Sequence, residues 1–159
     1  MDNTSEWRAT NDWPYHICAG GIIFRNVSGM IEVAVLVRHE NDGDHYHLPK
    51  GTLGHNETLE DCALRETLEE SGKSGKIIGY LGAIHDQFTH PKTTIFTDKT
   101  THYFAMEIIR ETELHDHEHD DVRWVEIKKA RELLETTEQV KQEFLIVDRL
   151  LKLFEIVNL

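Results

Sequence analysis

A chain of 159 residues, 39% of them apolar, with ten glycines and three prolines, has the make-up of one globular domain that buries a core without disulfides or a structural metal, which excludes low-complexity and collagen-like classes. Its 29 acidic against 17 basic residues give a formal charge of -12, a surface that repels polyanions, so neither duplex nucleic acid nor an anionic membrane is expected as a partner. A small anionic substrate needs a local remedy, and metal ions on clustered carboxylates supply one by reversing the sign of the field.

No apolar run reaches the length of a membrane span and residues 1–11 are polar, so the expectation is a cytoplasmic protein with a single domain over 1–159 and a flexible N-terminus over 1–12. In chain order, β-rich runs over 16–24 and 31–37, separated by Asn26-Val27-Ser28-Gly29, predict an antiparallel hairpin. Asn41-Asp42-Gly43-Asp44 predicts a polar loop, and Pro49 disfavours helix through Leu48, so loop is expected as far as Gly54. Residues 58–71 lack Gly and Pro and are mostly good helix formers, and Gly72 stands where a helix end favours a left-handed residue. Strands are expected over 77–88, 101–109 and 122–127, then a short helix over 128–134. Val140, Phe144, Val147, Leu151 and Phe154 recur at helical spacing and predict an amphipathic C-terminal helix packed on the sheet. Strands on both sides of a helix, with a last helix for the opposite face, predict an α/β fold with a mixed sheet between helical layers. Cys18 and Cys62 fall on a predicted buried strand and helix face without zinc-type spacing, and read as reduced core residues.

The predicted helix over 58–71 carries the chemistry. At about 100° per residue, Glu66, Glu69 and Glu70 share a face with Leu59, Cys62 and Ala63, so a stripe that starts apolar ends acidic. Three close like charges repel unless protons or cations intervene. Magnesium suits such a set, because it favours hard oxygen ligands and joins carboxylates to substrate phosphates. An isolated Glu-x-x-Glu-Glu would read more simply as surface carboxylates paired with Lys or Arg, and the surrounding residues change that weighting.

Those residues are Gly51, Glu57 after five intervening positions, and Arg65-Glu66-Thr67-Leu68-Glu69-Glu70-Ser71-Gly72 after seven more. The run closely resembles the Nudix box, G-x5-E-x7-R-E-U-x-E-E-x-G-U, with every invariant polar and glycine position matched; Thr67 and Lys73 stand where apolar residues are usual. The resemblance extends over about 17–154 and implies a Nudix-type α/β/α sandwich with a mixed sheet and a catalytic loop-helix-loop, in which Cys18-Ala19-Gly20-Gly21-Ile22-Ile23-Phe24 is the first core strand. It implies catalytic roles for Glu66, Glu69 and Glu70 as ligands of Mg2+, with Mn2+ as a substitute, joined by the Gly51 carbonyl and by Glu118 from the loop before the Trp124 strand. Glu57, Arg65 and Gly72 are implied to be structural, the first two as an ion pair. The nucleophile is then water rather than either cysteine. His115, His117 and His119 lie in an acidic tract without a matching cysteine pair and read as loop residues rather than zinc ligands.

The box defines a reaction class, pyrophosphohydrolysis, without choosing the substrate. Leu48-Pro49-Lys50-Gly51 resembles dinucleoside polyphosphate hydrolases and diphosphoinositol polyphosphate phosphohydrolases, while Lys99-Thr100-Thr101-His102-Tyr103-Phe104 and His117-Glu118-His119 with Arg123-Trp124 resemble asymmetric diadenosine tetraphosphate hydrolases. A nucleotide substrate is implied, with Lys50 as a phosphate contact or an ordinary surface lysine, and Tyr103 as a base-stacking residue or a core aromatic. The alternatives are an inositol pyrophosphate, which would demand many Lys and Arg, an RNA 5'-end, and an idle nucleotide-sensing domain, against which the complete Glu66, Glu69 and Glu70 set argues. A monomer or a homodimer is expected.

Overall fold

The first two β-rich runs form the expected hairpin. In the computed structural model, which describes residues 6–116, 118–137 and 142–157, β1 (Tyr15–Val27) pairs antiparallel with β2 (Met30–Glu40) from Phe24↔Val33 to Val27↔Met30. The turn is Ser28-Gly29, both at positive φ (53° and 87°), the two-residue geometry whose twist matches that of the flanking strands.

The expected loop between 41 and 54 is more ordered than its composition suggests. The chain reverses at Asn41 and Asp42, and β3 (Gly43–His47) pairs back on β2 from Glu40↔Gly43 to Leu36↔His47. β4 (Lys50–Thr52) then pairs antiparallel with β1 through Cys18↔Thr52, Ala19↔Gly51 and Gly20↔Lys50. Neither strand carries the apolar alternation by which a strand is read from sequence. β1 therefore changes partner along its length, from β4 to β2. Gly20 and Gly21 permit this, since a Cβ at Gly20 would overlap the Pro49 carbonyl, and the Gly21 N–H donates to that same oxygen at 3.1 Å.

After α1 (Leu59–Ser71) come β5 (Lys73–Thr89) and β6 (Phe96–Glu111), a long antiparallel pair, and β6 also runs parallel to β1 from Tyr15↔Asp98 to Phe24↔Glu107. β7 (Asp121–Glu126) adds to β2, and the chain closes with α2 (Ile127–Thr137) and α3 (Phe144–Val157). The seven strands form one mixed sheet whose main path is β3-β2-β1-β6-β5. Alternation along β1 sends Ile23 to a layer with Cys62, Ala63 and Met106 under α1, and Ile22 to a layer with Ala130, Leu134, Ile146 and Leu150 under α2 and α3. The expected α/β/α sandwich is thereby formed.

Of the expected features, Val140, His117 and residues 1–5 lie outside the described residues. Within the stretch expected to be flexible, the Trp7 N–H donates to the Leu53 carbonyl at 2.9 Å, the Ile17 N–H donates to the Trp7 carbonyl at 3.0 Å, and the Trp7 ring stacks edge-on to His55. Among the described residues no helix is long and apolar enough to cross a membrane.

Candidate active site

α1 is held at both ends by its own sequence. Thr58 caps the first turn, its hydroxyl accepting the Asp61 N–H at 3.1 Å, and Glu60 and Asp61 lie where the helix dipole favours negative charge. At the other end Gly72 is left-handed, φ 71°, and its N–H donates to the Leu68 carbonyl at 2.8 Å. These ends fix which face meets the sheet: Cys62, Ala63, Thr67 and Glu70 are buried, Glu66 is half-buried and Glu69 is exposed.

The three box carboxylates line one groove of about 570 Å³, at the place where β1 changes partner. Burial pushes the Glu70 carboxyl up to about 8, with Glu66 and Asp116 adding to the rise and Lys50 opposing it. Glu66 is likewise raised by burial, against the pull of Arg65 and with the repulsion of Glu69 and Glu118. Glu70, Asp116 and Glu118 bring one carboxylate oxygen each within 4.8 Å of one another. Crowded carboxylate oxygens of this kind, with Glu70 buried and Glu118 open to solvent, are stabilised by a divalent cation, and hard oxygen donors are the set that Mg2+ or Mn2+ takes. Glu118, expected from the sequence, is thus brought to Glu70. Asp116, which carries no motif signal, arrives with it because its N–H is tied to the Glu69 carbonyl at 2.7 Å.

Glu57 and Arg65 form the expected ion pair, bidentate at 2.7 and 2.9 Å, and the second Glu57 oxygen also accepts the Gly54 N–H at 3.0 Å. Arg65 extends further, to a Glu66 oxygen at 2.5 Å and to the Thr52 carbonyl at 3.2 Å, so one guanidinium joins loop, β4 and helix. Gly51 sits in extended β4 and is not among the residues at positive φ. Its requirement is space, because a Cβ there would overlap the Glu66 carboxyl. The residues at the two unusual box positions are accommodated: Thr67 is buried beside Gly21, and the stem of Lys73 is buried with its ammonium 3.5 Å from Glu111 and 5.2 Å from the centre of the Trp124 ring.

Lys50 is not an ordinary surface lysine: it lines the groove and is ion-paired from below. Its ammonium lies 2.9 Å from Glu143, a carboxylate only 1% exposed that stands just before α3 and also accepts the Leu48 N–H at 2.6 Å. Burial alone would raise Glu143, but Lys50 and His47 hold it down at about 2, and Lys50 is correspondingly raised although burial opposes its charge. In sequence Glu143 is one acidic residue ahead of an apolar helix, a common N-terminal feature that signals nothing about a distant loop.

Tyr103 is placed in the core, 1% exposed among Ile22, Leu48 and Ile146, and forms part of the wall of a small cavity between β5 and β6. Packing claims it because the period of β6 turns this position toward α3. His16 and His119 line the groove and are each lowered to about 4, chiefly by burial, so both are neutral near pH 7. His115 and His119 are in the loop after β6, as expected. Arg8, Arg38 and Lys99 also line the groove, and no sequence pattern singles out their positions. Both cysteines are free and buried, and burial pushes Cys62 up to about 12 and raises Cys18.

A sandwich of this topology with an acidic helix over a forked sheet defines a class, and the comparisons agree. A NUDIX domain model matches residues 14–146, and the chain belongs to the Nudix hydrolase family. It is 33% identical over 116 residues to a Mycobacterium tuberculosis protein bearing the name MutT4, covering 70% of this chain and 46% of that protein. It is 32% identical over 110 residues to Nudix hydrolase 21, chloroplastic, of Arabidopsis thaliana, covering 69% and 53%. The chain spans about half the length of these curated relatives. Among solved structures, a C. elegans Ap4A hydrolase in a binary complex superposes with TM-score 0.64 at 20% identity, covering 88% of this chain and 98% of the other. The Nudix domain of Shewanella oneidensis NrtR, complexed with ADP ribose, superposes with TM-score 0.66 at 13% identity, covering 87% of each chain. At these identities the structures establish the shared fold. Nudix hydrolases generally use a divalent metal, with which the acidic cluster is compatible.

Proposed function

We propose that the chain is a metal-dependent pyrophosphohydrolase that uses water to cleave a phosphoanhydride in a dinucleoside polyphosphate, giving ATP and AMP from diadenosine tetraphosphate. The observation that carries this reading is one groove in which Glu70, Asp116 and Glu118 converge, Glu66 and Glu69 stand beside them, and cationic side chains face them from β2 and β6. Mg2+, or Mn2+, would be held by Glu66, Glu69, Glu70 and Glu118 with the Gly51 carbonyl and Asp116. When bound, it neutralises phosphate charge and lowers the pKa of a coordinated water.

The chain's own residues prepare that chemistry. Arg65 and Glu57 lock β4 against the helix, which sets the distance between Gly51 and Glu66. Lys50, its charge balanced by Glu143, ties the groove floor to the start of α3 while its ammonium lines the groove as a phosphate contact, and Lys99 and Arg38 add positive charge toward the phosphate chain. Neither thiol serves as nucleophile, because both are held protonated. Holding a long polyphosphate along such a groove selects which phosphorus meets water, and the expected cleavage is asymmetric. The reading carries with it a small anionic partner, a cytoplasmic setting, and a monomer or homodimer.

The test is a substrate panel with chromatographic identification of products, with and without magnesium. Diadenosine tetraphosphate should give ATP and AMP in a magnesium-dependent reaction. Two ADP as products, or inertness toward this substrate beside rapid cleavage of an inositol pyrophosphate or capped RNA, would refute the substrate assignment. Inertness toward every phosphoanhydride tested would favour an idle sensing domain.

A further inference from the structure

A second cavity, of about 70 Å³, lies beside the groove, and the two share Lys50 and Lys99 in their walls. It is lined by Ile84, Asp86 and Phe88 of β5 and by Thr101 and Tyr103 of β6. Alternation puts Ile84, Asp86 and Phe88 on the same face of β5, and the register sets Asp86 directly opposite Lys99. Opposite charges so placed ordinarily attract across the strands. Here both are half-buried, yet among the described residues neither side chain has an ion-pair or hydrogen-bond partner. Lys99 instead lies near enough to His16 and Cys18, on the groove side, to add to the lowering of His16 and to oppose the rise that burial imposes on Cys18. Asp86 is left as a carboxylate between two apolar walls, with a buried aromatic in the lining.

We propose that this slot is a nucleobase subsite in which Asp86 reads the Watson–Crick edge of guanine, a proposal that rests on the dinucleoside polyphosphate reading above and makes a guanosine-containing member of that class a better substrate than diadenosine tetraphosphate. An ionised carboxylate can only accept hydrogen bonds. Guanine presents two adjacent donors, N1–H and N2–H, which meet the two carboxylate oxygens in parallel. Adenine presents one donor, N6–H, beside the N1 lone pair, which the carboxylate repels. Ile84 and Phe88 supply the apolar faces that a flat ring needs, and the shared wall at Lys99 puts a cation where the base-proximal phosphate leaves the slot for the metal-binding groove. A cavity of this volume takes the edge of one base, with sugar and phosphates in the larger groove.

Calorimetric titration of guanosine and adenosine 5'-(α,β-methylene)diphosphate, with magnesium, tests this without turnover. Wild-type protein should bind the guanosine analogue about tenfold more tightly. Asp86→Asn, equal in size but able to donate as well as accept, should abolish or reverse that preference, and Phe88→Ala should weaken both analogues alike. Equal binding of the two by wild type, no binding of either, or a guanine preference that survives Asp86→Asn would overturn the subsite. A guanine preference that depends on Asp86, in a protein that cleaves no dinucleoside polyphosphate, would retain the slot and discard the dinucleoside polyphosphate as substrate. Cleavage of diadenosine and diguanosine tetraphosphate at equal kcat/KM would discard the slot alone.

Discussion

At the scale of single residues, Glu70 combines features that few carboxylates share. It is 5% exposed, lies within reach of two other acidic side chains, and is raised to about 8 by burial and by like charge. Glu70→Gln removes a charge that the protein itself destabilises, so the fold should survive while metal-assisted turnover falls by at least about a hundredfold. Glu69→Gln should lose a comparable factor if Glu69 is an essential ligand. Steady-state kinetics at saturating magnesium, with circular dichroism to confirm folding, decide both, and near wild-type turnover in either variant would remove that residue from the ligand set. Gly51 makes the neighbouring point by contrast. Its spacing identifies it in sequence, but the physical reason, room for the Glu66 carboxyl, is visible only once helix and strand are side by side.

At the scale of elements, α1 was fully legible. A Thr before a run of helix formers, acidic residues in the first turn and Gly at the end are local signals, and local signals survive folding unchanged. β3 and β4 were not legible, because Gly43-Asp44-His45-Tyr46-His47 and Lys50-Gly51-Thr52 become strands through partners elsewhere in the chain. The site divides the same way. The box carboxylates and the Glu57–Arg65 pair were implied by the resemblance to the Nudix box, whereas Asp116 and Glu143 enter through tertiary placement, and the burial of Tyr103 follows from packing that its local sequence does not announce. Gly72 gives the element-scale test. At φ 71° a side chain is strained, and a Cβ would lie 2.6 Å from the Thr112 carbonyl and 2.7 Å from that of Leu114. Gly72→Ala should therefore cost more than the ~1 kcal/mol of an ordinary left-handed substitution. Urea denaturation reads this as a lowered midpoint at unchanged slope, and an unchanged midpoint would show that the β6 end gives way freely.

At the scale of the whole molecule, one buried pair ties the last helix to the active-site strand. Glu143 is held at about 2, below its ordinary 4.5, so the stability it contributes is fully present above pH 4.5 and is lost as pH falls from there through about 2. Wild-type protein should lose stability across that window more steeply than Glu143→Gln, in which the titrating group is gone. At neutral pH the same variant should be less stable by about 3–5 kcal/mol, because Lys50 is left buried without its partner. Denaturation midpoints at several pH values check both statements, and parallel acid profiles for the two proteins would contradict them. The β1–β6 pairing has a consequence for how the molecule comes to exist. Every parallel partner along that ladder is about eighty residues away in the chain, so the central seam cannot close until β6 has been synthesised, and closing it bears the entropic cost of a long loop. The first hairpin and α1 can form while the chain is still emerging. The groove waits for that late seam, and the nascent chain exposes the apolar faces of β1 and β2 in the meantime, an interval in which aggregation competes with folding.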